Sequence, residues 1–253
     1  MFLKVTALAV LQGVAEFLPI SSSGHLVVGQ SLLGMNEPGM RLDVMLHLGT
    51  LASICFFYWR SIWRIFAGFD WRMMLKILLS ALPAVVVYGC FKKPIEGLFE
   101  NARMVGALLM FTGAVLVGTR YLPRGERDVN WLRALAMGLG QALALLPGVS
   151  RSGMTLASAR AGKVDPEKSA EFSFLMSAPL IAGAALLEIV KCLRDAAPPE
   201  GDIGWGVTVY GAVVAAVVGY FSLRLLVRAL KGRWFWLFGP YCFAIGLLTL
   251  VFA

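Results

Sequence analysis

The chain has few charged side chains and few residues that commonly ligate metals. Only 15% of its 253 residues are Asp, Glu, Lys or Arg, against roughly 25% in soluble domains, whereas 58% are hydrophobic. It has two histidines and four cysteines, and no two cysteines show the CxxC spacing of a zinc site or disulfide framework. These shortages exclude an ordinary soluble domain, and we expect the cysteines to be packing residues.

The net charge of +8 does not point to nucleic acid. The basic residues lie in short loops between apolar runs, where cations orient helices and contact anionic head groups. We therefore expect membrane lipids as partners and no nucleic acid. The first apolar run follows Lys4 but no A-x-A-like cleavage site follows it, so we expect it to be retained.

Six apolar runs approach the length of about 20 residues that a membrane-spanning helix needs. They lie at about 43–58, 75–91, 104–119, 171–190, 206–223 and 235–253. Because a backbone in lipid must satisfy its own hydrogen bonds, we expect these runs to be helical. The sequence predicts an all-α polytopic membrane protein with six transmembrane helices in a single integral membrane domain.

Two further apolar stretches, 1–18 and 134–146, each end at a proline and are followed by short apolar returns at 26–34 and 154–161. The longer return gives about 14 Å of helix, against a hydrocarbon core of about 30 Å. Each pair is therefore predicted to be a re-entrant helical hairpin. A polar loop at that depth is tolerated only where it is buried in protein or lines a cavity.

The two hairpin loops indicate an internal repeat. Residues 21–24 (SSSG) align with 150–153 (SRSG) at an offset of 129, and the same offset places Gln12 on Gln141. Each half then holds one hairpin and three spans, and this odd number of spans inverts the second half relative to the first. We expect an inverted-topology repeat, with halves of approximately the first 125 residues and the remainder.

Loops on one predicted face carry about twice as many Lys and Arg residues as loops on the other. The excess marks the cytoplasmic face, so both termini are predicted to lie outside. The first hairpin then enters from outside and the second from the cytoplasm. Their loops can meet near mid-depth and form one site.

Gln12 and Glu16 are four residues apart and share one face of the first hairpin helix. A carboxylate in the membrane costs about 2.5–3.5 kcal/mol and is usually paired and functional. Arg151 in the second loop is the expected partner, although a purely structural buried pair is the alternative. Gln12 is equally suited to an interhelical hydrogen bond.

The first loop supplies Ser21, Ser22, Ser23 and Gly24 at the start of the return helix, where hydroxyls cap and free amides bind anions. Three serines alone are typical of a cap. The adjacent His25 favours chemistry, because a neutral imidazole beside a hydroxyl activates an oxygen nucleophile or protonates a leaving group.

In the second loop Arg151 lies between Ser150 and Ser152, followed by Gly153 and Thr155. Guanidinium binds phosphate oxygens bidentately, so this loop is predicted to clamp phosphate.

Three other polar residues are predicted to lie outside the chemistry. His47 is expected to pack or to bond between helices. Asp43 and Glu171, which begin spans in corresponding positions, are expected to be interfacial.

Over essentially its whole length the chain resembles the undecaprenyl-diphosphate phosphatases of the bacitracin-resistance type. The resemblance is carried by Gln12, Glu16, the segment 19–25 (PISSSGH) and the segment 147–155 (PGVSRSGMT). It implies a hydrolase acting on a phosphoric anhydride, which converts undecaprenyl diphosphate to the monophosphate carrier and phosphate. It also implies roles in peptidoglycan synthesis, cell shape and bacitracin resistance, at a bacterial inner membrane with the active site open to the periplasm.

Carried over by position, the resemblance makes Ser22 the candidate nucleophile and His25 its catalytic partner. Glu16 is a base or metal ligand, and Arg151 with Ser150 clamps the diphosphate. Whether Ser22 or His25 is phosphorylated stays open, as does a homodimer. A divalent cation, Mg²⁺ or Ca²⁺, is also implied.

Many relatives of this type have glutamate where this chain has Gln12. A glutamine is no base at neutral pH, so Glu16 is left with that role and weaker metal affinity is expected. A second lipid-phosphatase superfamily also uses Ser-Gly-His and Ser-Arg elements. It needs a later histidine, and none follows His47.

Two other classes compete with hydrolysis. A transporter or lipid flippase also uses inverted repeats with broken helices at mid-depth, although the paired serine-rich loops favour chemistry. A non-catalytic lipid-binding protein leaves Glu16, His25 and Arg151 without a role.

Overall fold

The computed structural model describes residues 1–35, 40–98, 101–194 and 203–252. Across these ranges the chain is built from helices. Five of them are long and apolar enough to cross a membrane: Trp71–Ile95, Ala102–Tyr121, Pro166–Leu187, Trp205–Lys231 and Phe235–Phe252. The helices Leu42–Phe57 and Trp59–Ala67 are bent by 73° relative to each other and bring the number to six when the pair counts as one span. The predicted all-α polytopic membrane fold is confirmed, with five to six spans among the described residues.

The helices are, in chain order, α1 (Phe2–Ala15), α2 (Ser22–Leu32), α3 (Met40–Phe57), α4 (Trp59–Ala67), α5 (Trp71–Leu98), α6 (Ala102–Gly118), α7 (Trp131–Leu143), α8 (Arg151–Ala161), α9 (Pro166–Arg194), α10 (Trp205–Lys231) and α11 (Phe238–Phe252). Two short 3₁₀ turns, Thr119–Tyr121 and Phe235–Leu237, follow α6 and precede α11. Several spans extend beyond their apolar runs, because a helix continues into the polar interface once its apolar part is inserted.

The break between α3 and α4 lies at Tyr58, whose backbone leaves the helical region (φ −103°, ψ 21°). Beyond it, α4 exposes Trp59 and Trp63 together with Arg60. A short helix that combines aromatic and cationic side chains favours the membrane surface over the interior. The predicted run at 43–58 therefore ends where the chain turns.

Both hairpins are confirmed as short helix pairs. The returning helices α2 and α8 begin at Ser22 and Arg151, earlier than the predicted starts, because the polar loop residues join the first helical turn. At 11 residues each they span about 16 Å, which is still well short of the roughly 30 Å core.

The helices of one half pack against those of the other half in matching pairs, as an inverted repeat requires. Helix α1 packs against α10, while its counterpart α7 packs against α5, the counterpart of α10. The counterparts α6 and α11 pair directly: a Cβ added at Gly113 would lie 2.8 Å from the carbonyl oxygen of Gly239. Only glycine permits this approach. The boundary of the two halves near residue 125 stays a prediction.

One apolar cluster holds both hairpin loops in place. It contains Phe17 and Leu18 from the first loop, Leu156 from α8, Phe174 from α9 and Leu223 from α10. All five side chains are buried. Packed interiors resist displacement, so the polar residues that follow in sequence are held in fixed positions.

Candidate active site

The two hairpin loops contact each other, as predicted. The Ser152 hydroxyl donates to the carbonyl oxygen of Leu18 at 3.2 Å, and a Cβ at Gly153 would lie 3.4 Å from Pro19 Cβ. The thiol of Cys242 on α11 donates to the Pro19 carbonyl at 3.3 Å. Leu18 and Ser152, which are 134 positions apart in the sequence, are therefore joined in one site.

Two left-handed residues shape the loops. Ser21 has φ +69°, which a non-glycine residue adopts at a cost, and it places Ser22 at the first position of α2. Gly148 has φ +91°, and a Cβ there would lie 2.4 Å from the carbonyl oxygen of Val105. Position 148 therefore requires glycine, and the turn that follows presents Arg151.

The predicted pair of Glu16 and Arg151 is present. Arg151 Nη2 donates to Glu16 Oε1 at 2.6 Å, and the side chains are 17% and 8% exposed. Arg151 Nη1 donates to the Ser177 hydroxyl of α9 at 2.7 Å, and the guanidinium lies 5.5 Å from the ring centre of Phe174. The arginine is thus fixed from two helices, and a charge-assisted bond of this length is strong.

Glu16 is also the acceptor for Ser22. The Ser22 hydroxyl donates to Glu16 Oε2 at 2.8 Å, and Gln12 Nε2 donates to the same oxygen at 3.3 Å. A carboxylate placed on a serine hydroxyl in this way can accept its proton. The resemblance left Glu16 as a base or a metal ligand, and this geometry favours the role of base.

His25 is engaged elsewhere. Its Nδ1 lies 2.9 Å from the Ser21 carbonyl oxygen, which only accepts, so Nδ1 carries the proton. In the neutral ring Nε2 is then an acceptor, and the Tyr241 hydroxyl donates to it at 2.7 Å. The implied pairing of Ser22 with His25 is not what this structure has, because Ser22 bonds to Glu16.

Tyr241 is the site residue that the sequence reasoning missed. Its ring stacks on His25, with centres 5.6 Å apart, and it comes from α11. It belongs to no motif, and a tyrosine in an apolar run is usual near a membrane interface. The sequence offered one indication of its role: Tyr241 is a phenol in the last span, which has few other hydrogen-bonding side chains.

The other predicted contacts divide between capping and packing. Ser150 caps α8, accepting from the Gly153 amide at 3.2 Å. The cap predicted for α2 is not present, since no described hydrogen bond joins the hydroxyl of Ser21, Ser22 or Ser23 to an amide of that helix. Thr155 is fully buried, and its hydroxyl lies 2.6 Å from that of Ser173. Thr155 therefore joins α8 to α9 rather than facing the loops.

His47 and Asp43 form a second polar group on α3. His47 Nδ1 bonds to the carbonyl oxygen of Asp43 at 2.8 Å within the helix, and the imidazole lies within electrostatic range of Glu16. Asp43 accepts from Gln30 Nε2 at 2.9 Å, which joins α3 to α2. No described hydrogen bond links Glu171 to this group or to the loops.

The site offers few ligands for a metal. Within the described ranges, no three His, Cys, Asp or Glu side chains are grouped closely enough to hold an ion. Glu16 is accompanied by Gln12, whose Oε1 is buried and has no hydrogen-bond partner in the described part of the chain. Mg²⁺ commonly uses one or two carboxylates together with water and substrate phosphates. The donor set fits a cation that binds together with a diphosphate.

Comparisons with known proteins identify the family of the chain. The family model described as "Bacitracin resistance protein BacA" matches residues 5–248. An undecaprenyl-diphosphatase of Desulfatibacillum aliphaticivorans is 37% identical, covering 99% of this chain and 98% of the relative. One from Rhodopirellula baltica is 39% identical, with 98% and 97% covered. The chain therefore belongs to the bacitracin resistance protein BacA family.

Proposed function

We propose that this multi-pass membrane protein hydrolyses undecaprenyl diphosphate to undecaprenyl phosphate and inorganic phosphate. Relatives carrying the name undecaprenyl-diphosphatase match it over nearly the whole chain. The observation that carries the proposal is the partly buried chain of contacts from Ser22 to Glu16 to Arg151. It places a nucleophile, a base and a phosphate-binding cation within hydrogen-bond distance of one another.

Ser22 is the nucleophile in this mechanism. Its oxygen attacks the terminal phosphorus while Glu16 Oε2 accepts the hydroxyl proton, an oxygen–phosphorus bond forms, and the anhydride bond to the lipid monophosphate breaks. Water then cleaves the phosphoserine, which releases phosphate and restores the hydroxyl. Ser22 is preferred to His25 because only Ser22 has a hydrogen bond to the carboxylate.

Arg151 has a second role when the substrate enters. Its guanidinium is 17% exposed, so its remaining donors can turn to phosphate oxygens and stabilise the charge that develops on them. That movement weakens the ion pair and leaves Oε1 of Glu16 freer to support proton transfer. The backbone amides of the first turn of α2, which have no helical acceptor, add further donors.

His25 acts in the second step. With the proton fixed on Nδ1 by the Ser21 carbonyl, Nε2 is the ring nitrogen that can accept a proton from the attacking water. The hydrogen bond from the Tyr241 hydroxyl holds the ring in this orientation, so Tyr241 is a positioning residue for the imidazole.

A divalent cation, Mg²⁺ or Ca²⁺, would be held by Glu16 and the unpartnered Oε1 of Gln12. When bound, it supplies positive charge against the diphosphate. Because Gln12 is neutral, the protein alone offers this cation little charge.

The charge bias of the loops supports a periplasmic location for both termini and an active site open to the periplasm of the bacterial inner membrane. A homodimer is compatible with this scheme but is not needed for chemistry, since Glu16, Ser22, His25 and Arg151 all come from one chain.

The test is phosphate release from a prenyl diphosphate by the purified protein in detergent, with and without EDTA. Transport needs two compartments, so release in detergent separates hydrolysis from a flippase. Ser22→Ala and Glu16→Gln should each lower kcat by roughly 10²–10⁴-fold. Glu171→Gln, a matched carboxylate outside the loops, should stay within about twofold of the unaltered protein.

Full turnover in Ser22→Ala would exclude the serine as nucleophile, and a phosphorylated His25 would then replace it. Full turnover in Glu16→Gln would exclude the carboxylate as the base. Absence of release by the unaltered protein, with substrate flipping in vesicles, would favour the transporter.

A further inference from the structure

The charges of Arg124 and Arg233 act on Arg160 at the end of α8. Arg160 lies in the last turn of α8, Arg124 follows the 3₁₀ turn Thr119–Tyr121, and Arg233, with φ +63°, precedes the turn Phe235–Leu237. The two 3₁₀ turns contact each other, and Arg120 lies 4.6 Å from the ring centre of Trp236. These contacts fix the segments that carry the three guanidinium groups, which we call the arginine triad.

The triad has no carboxylate partner among the described residues. No ion pair is present there for Arg124, Arg160 or Arg233. Asp128 and Glu167 form ion pairs with Lys168 and Lys231, and the exposed Glu126 forms none. Within the described part of the chain, no ion pair therefore compensates the positive charge of the triad.

Arg160 also has a spare donor. Its Nη2 donates to the Leu122 carbonyl oxygen at 3.3 Å, whereas its Nε is buried and has no partner within the described residues. Partial burial, and then the positive charges of Arg233 and Arg124, lower the pKa of Arg160. An unpartnered buried donor beside like charges is unfavourable unless an anion completes the site.

The position of the triad identifies the source of that anion. Arg160 follows Arg151 by nine residues on the same helix, which is about 14 Å, or half the thickness of the hydrocarbon core. If Arg151 lies near mid-depth, Arg160 lies at the membrane surface. Beside the triad, Tyr121 is 80% exposed and Leu237 is 49% exposed, so apolar surface adjoins the cations.

We propose that the arginine triad binds the phosphate group of an anionic phospholipid at the membrane surface, about 14 Å from the catalytic loops. Guanidinium groups suit phosphate oxygens bidentately, and the acyl chains would lie against Tyr121 and Leu237. A general excess of basic residues on the cytoplasmic face accounts for arginines at the membrane surface. It does not account for a buried Nε of Arg160 that has no acceptor among the described residues while two further guanidinium charges act on it.

Lipid binding by matched charge variants tests this site. The delipidated protein in neutral detergent is titrated with phosphatidylglycerol, and bound lipid is counted by native mass spectrometry. The triad variant replaces each of the three arginines with glutamine, which lets position 160 keep a donor for Leu122. The control variant removes the same charge from three arginines elsewhere: Arg60→Gln, Arg64→Gln and Arg72→Gln.

The triad variant should bind phosphatidylglycerol at least about tenfold more weakly, since losing one charge-assisted hydrogen bond to a phosphate weakens binding by about tenfold or more. The control should stay within about threefold. Equal weakening in both variants, or no saturable binding by the unaltered protein, would overturn the proposal. Displacement of the lipid by millimolar inorganic phosphate would reassign the triad to free phosphate. Phosphate release from prenyl diphosphate in detergent should be the same in all three proteins, so this result is independent of the proposed hydrolysis.

Discussion

The hydroxyl of Tyr241 offers the sharpest test of how His25 is positioned. Tyr241→Phe removes one oxygen and keeps the ring that stacks on the imidazole. The hydroxyl makes a neutral hydrogen bond of 2.7 Å at a side chain that is 42% exposed. A bond of this kind contributes about 1 kcal/mol, so we expect kcat to fall about fivefold while KM changes little.

The chain provides a matched control. Tyr210 is 39% exposed, and its hydroxyl lies 2.9 Å from that of Thr6, away from the loops. Tyr210→Phe removes the same oxygen from a similar setting and should leave kcat unchanged. Steady-state phosphate release in detergent measures both variants.

A double-mutant cycle separates positioning from a general loss of stability. His25→Ala should lower kcat by roughly 10²–10⁴-fold. If Tyr241 acts through the imidazole, adding Tyr241→Phe to His25→Ala should lower kcat no further. A further fivefold fall in the double variant, or equal losses in the Tyr210 and Tyr241 variants, would refute the positioning role.

Three other outcomes follow from the structure. Arg151→Ala should lower the free energy of unfolding by about 3–5 kcal/mol because it leaves the Glu16 charge buried alone, and adding Glu16→Gln should restore part of that loss in a thermal unfolding assay. Gly113→Ala should lower the unfolding temperature, since its Cβ would lie 2.8 Å from a carbonyl oxygen of α11. Gly89→Ala, with no atom within 4 Å, should not. The pKa of Asp128 is lowered by a hydrogen bond from Lys168. The contribution of Asp128 to the free energy of unfolding is therefore present above the ordinary pKa of an aspartate and is lost as the pH falls through the lowered pKa. Asp128→Asn should flatten that part of the stability profile measured by denaturant titration.

Much of the fold was predictable because the bilayer imposes simple limits. Length and hydropathy located the six spans, and the short apolar returns after two prolines located the hairpins. The bend at Tyr58 was not predictable from the apolar run. The bend depends on which is more favourable for the chain: to continue the helix through the membrane, or to place the arginines and tryptophans of α4 at the membrane surface.

The pairing of Glu16 with Arg151 was predictable for a related reason. A carboxylate at that depth requires a cation, and the second loop offered one arginine. Thr155 was less predictable, because a hydroxyl in a motif can face either the ligand or a neighbouring helix. Its bond to Ser173 depends on how α9 packs beside α8.

The membrane class, the two loops and the residue types at the site follow from the amino-acid sequence alone, since hydrophobic length and the cost of buried charge act locally on the chain. The partners of individual side chains were decided by the tertiary structure. Ser22 bonds to Glu16 and His25 bonds to Tyr241 because the turn at Ser21 and the approach of α11 set the direction of each side chain. A hydrogen bond depends on tenths of an ångström and on angle, and only the packed helices fix both.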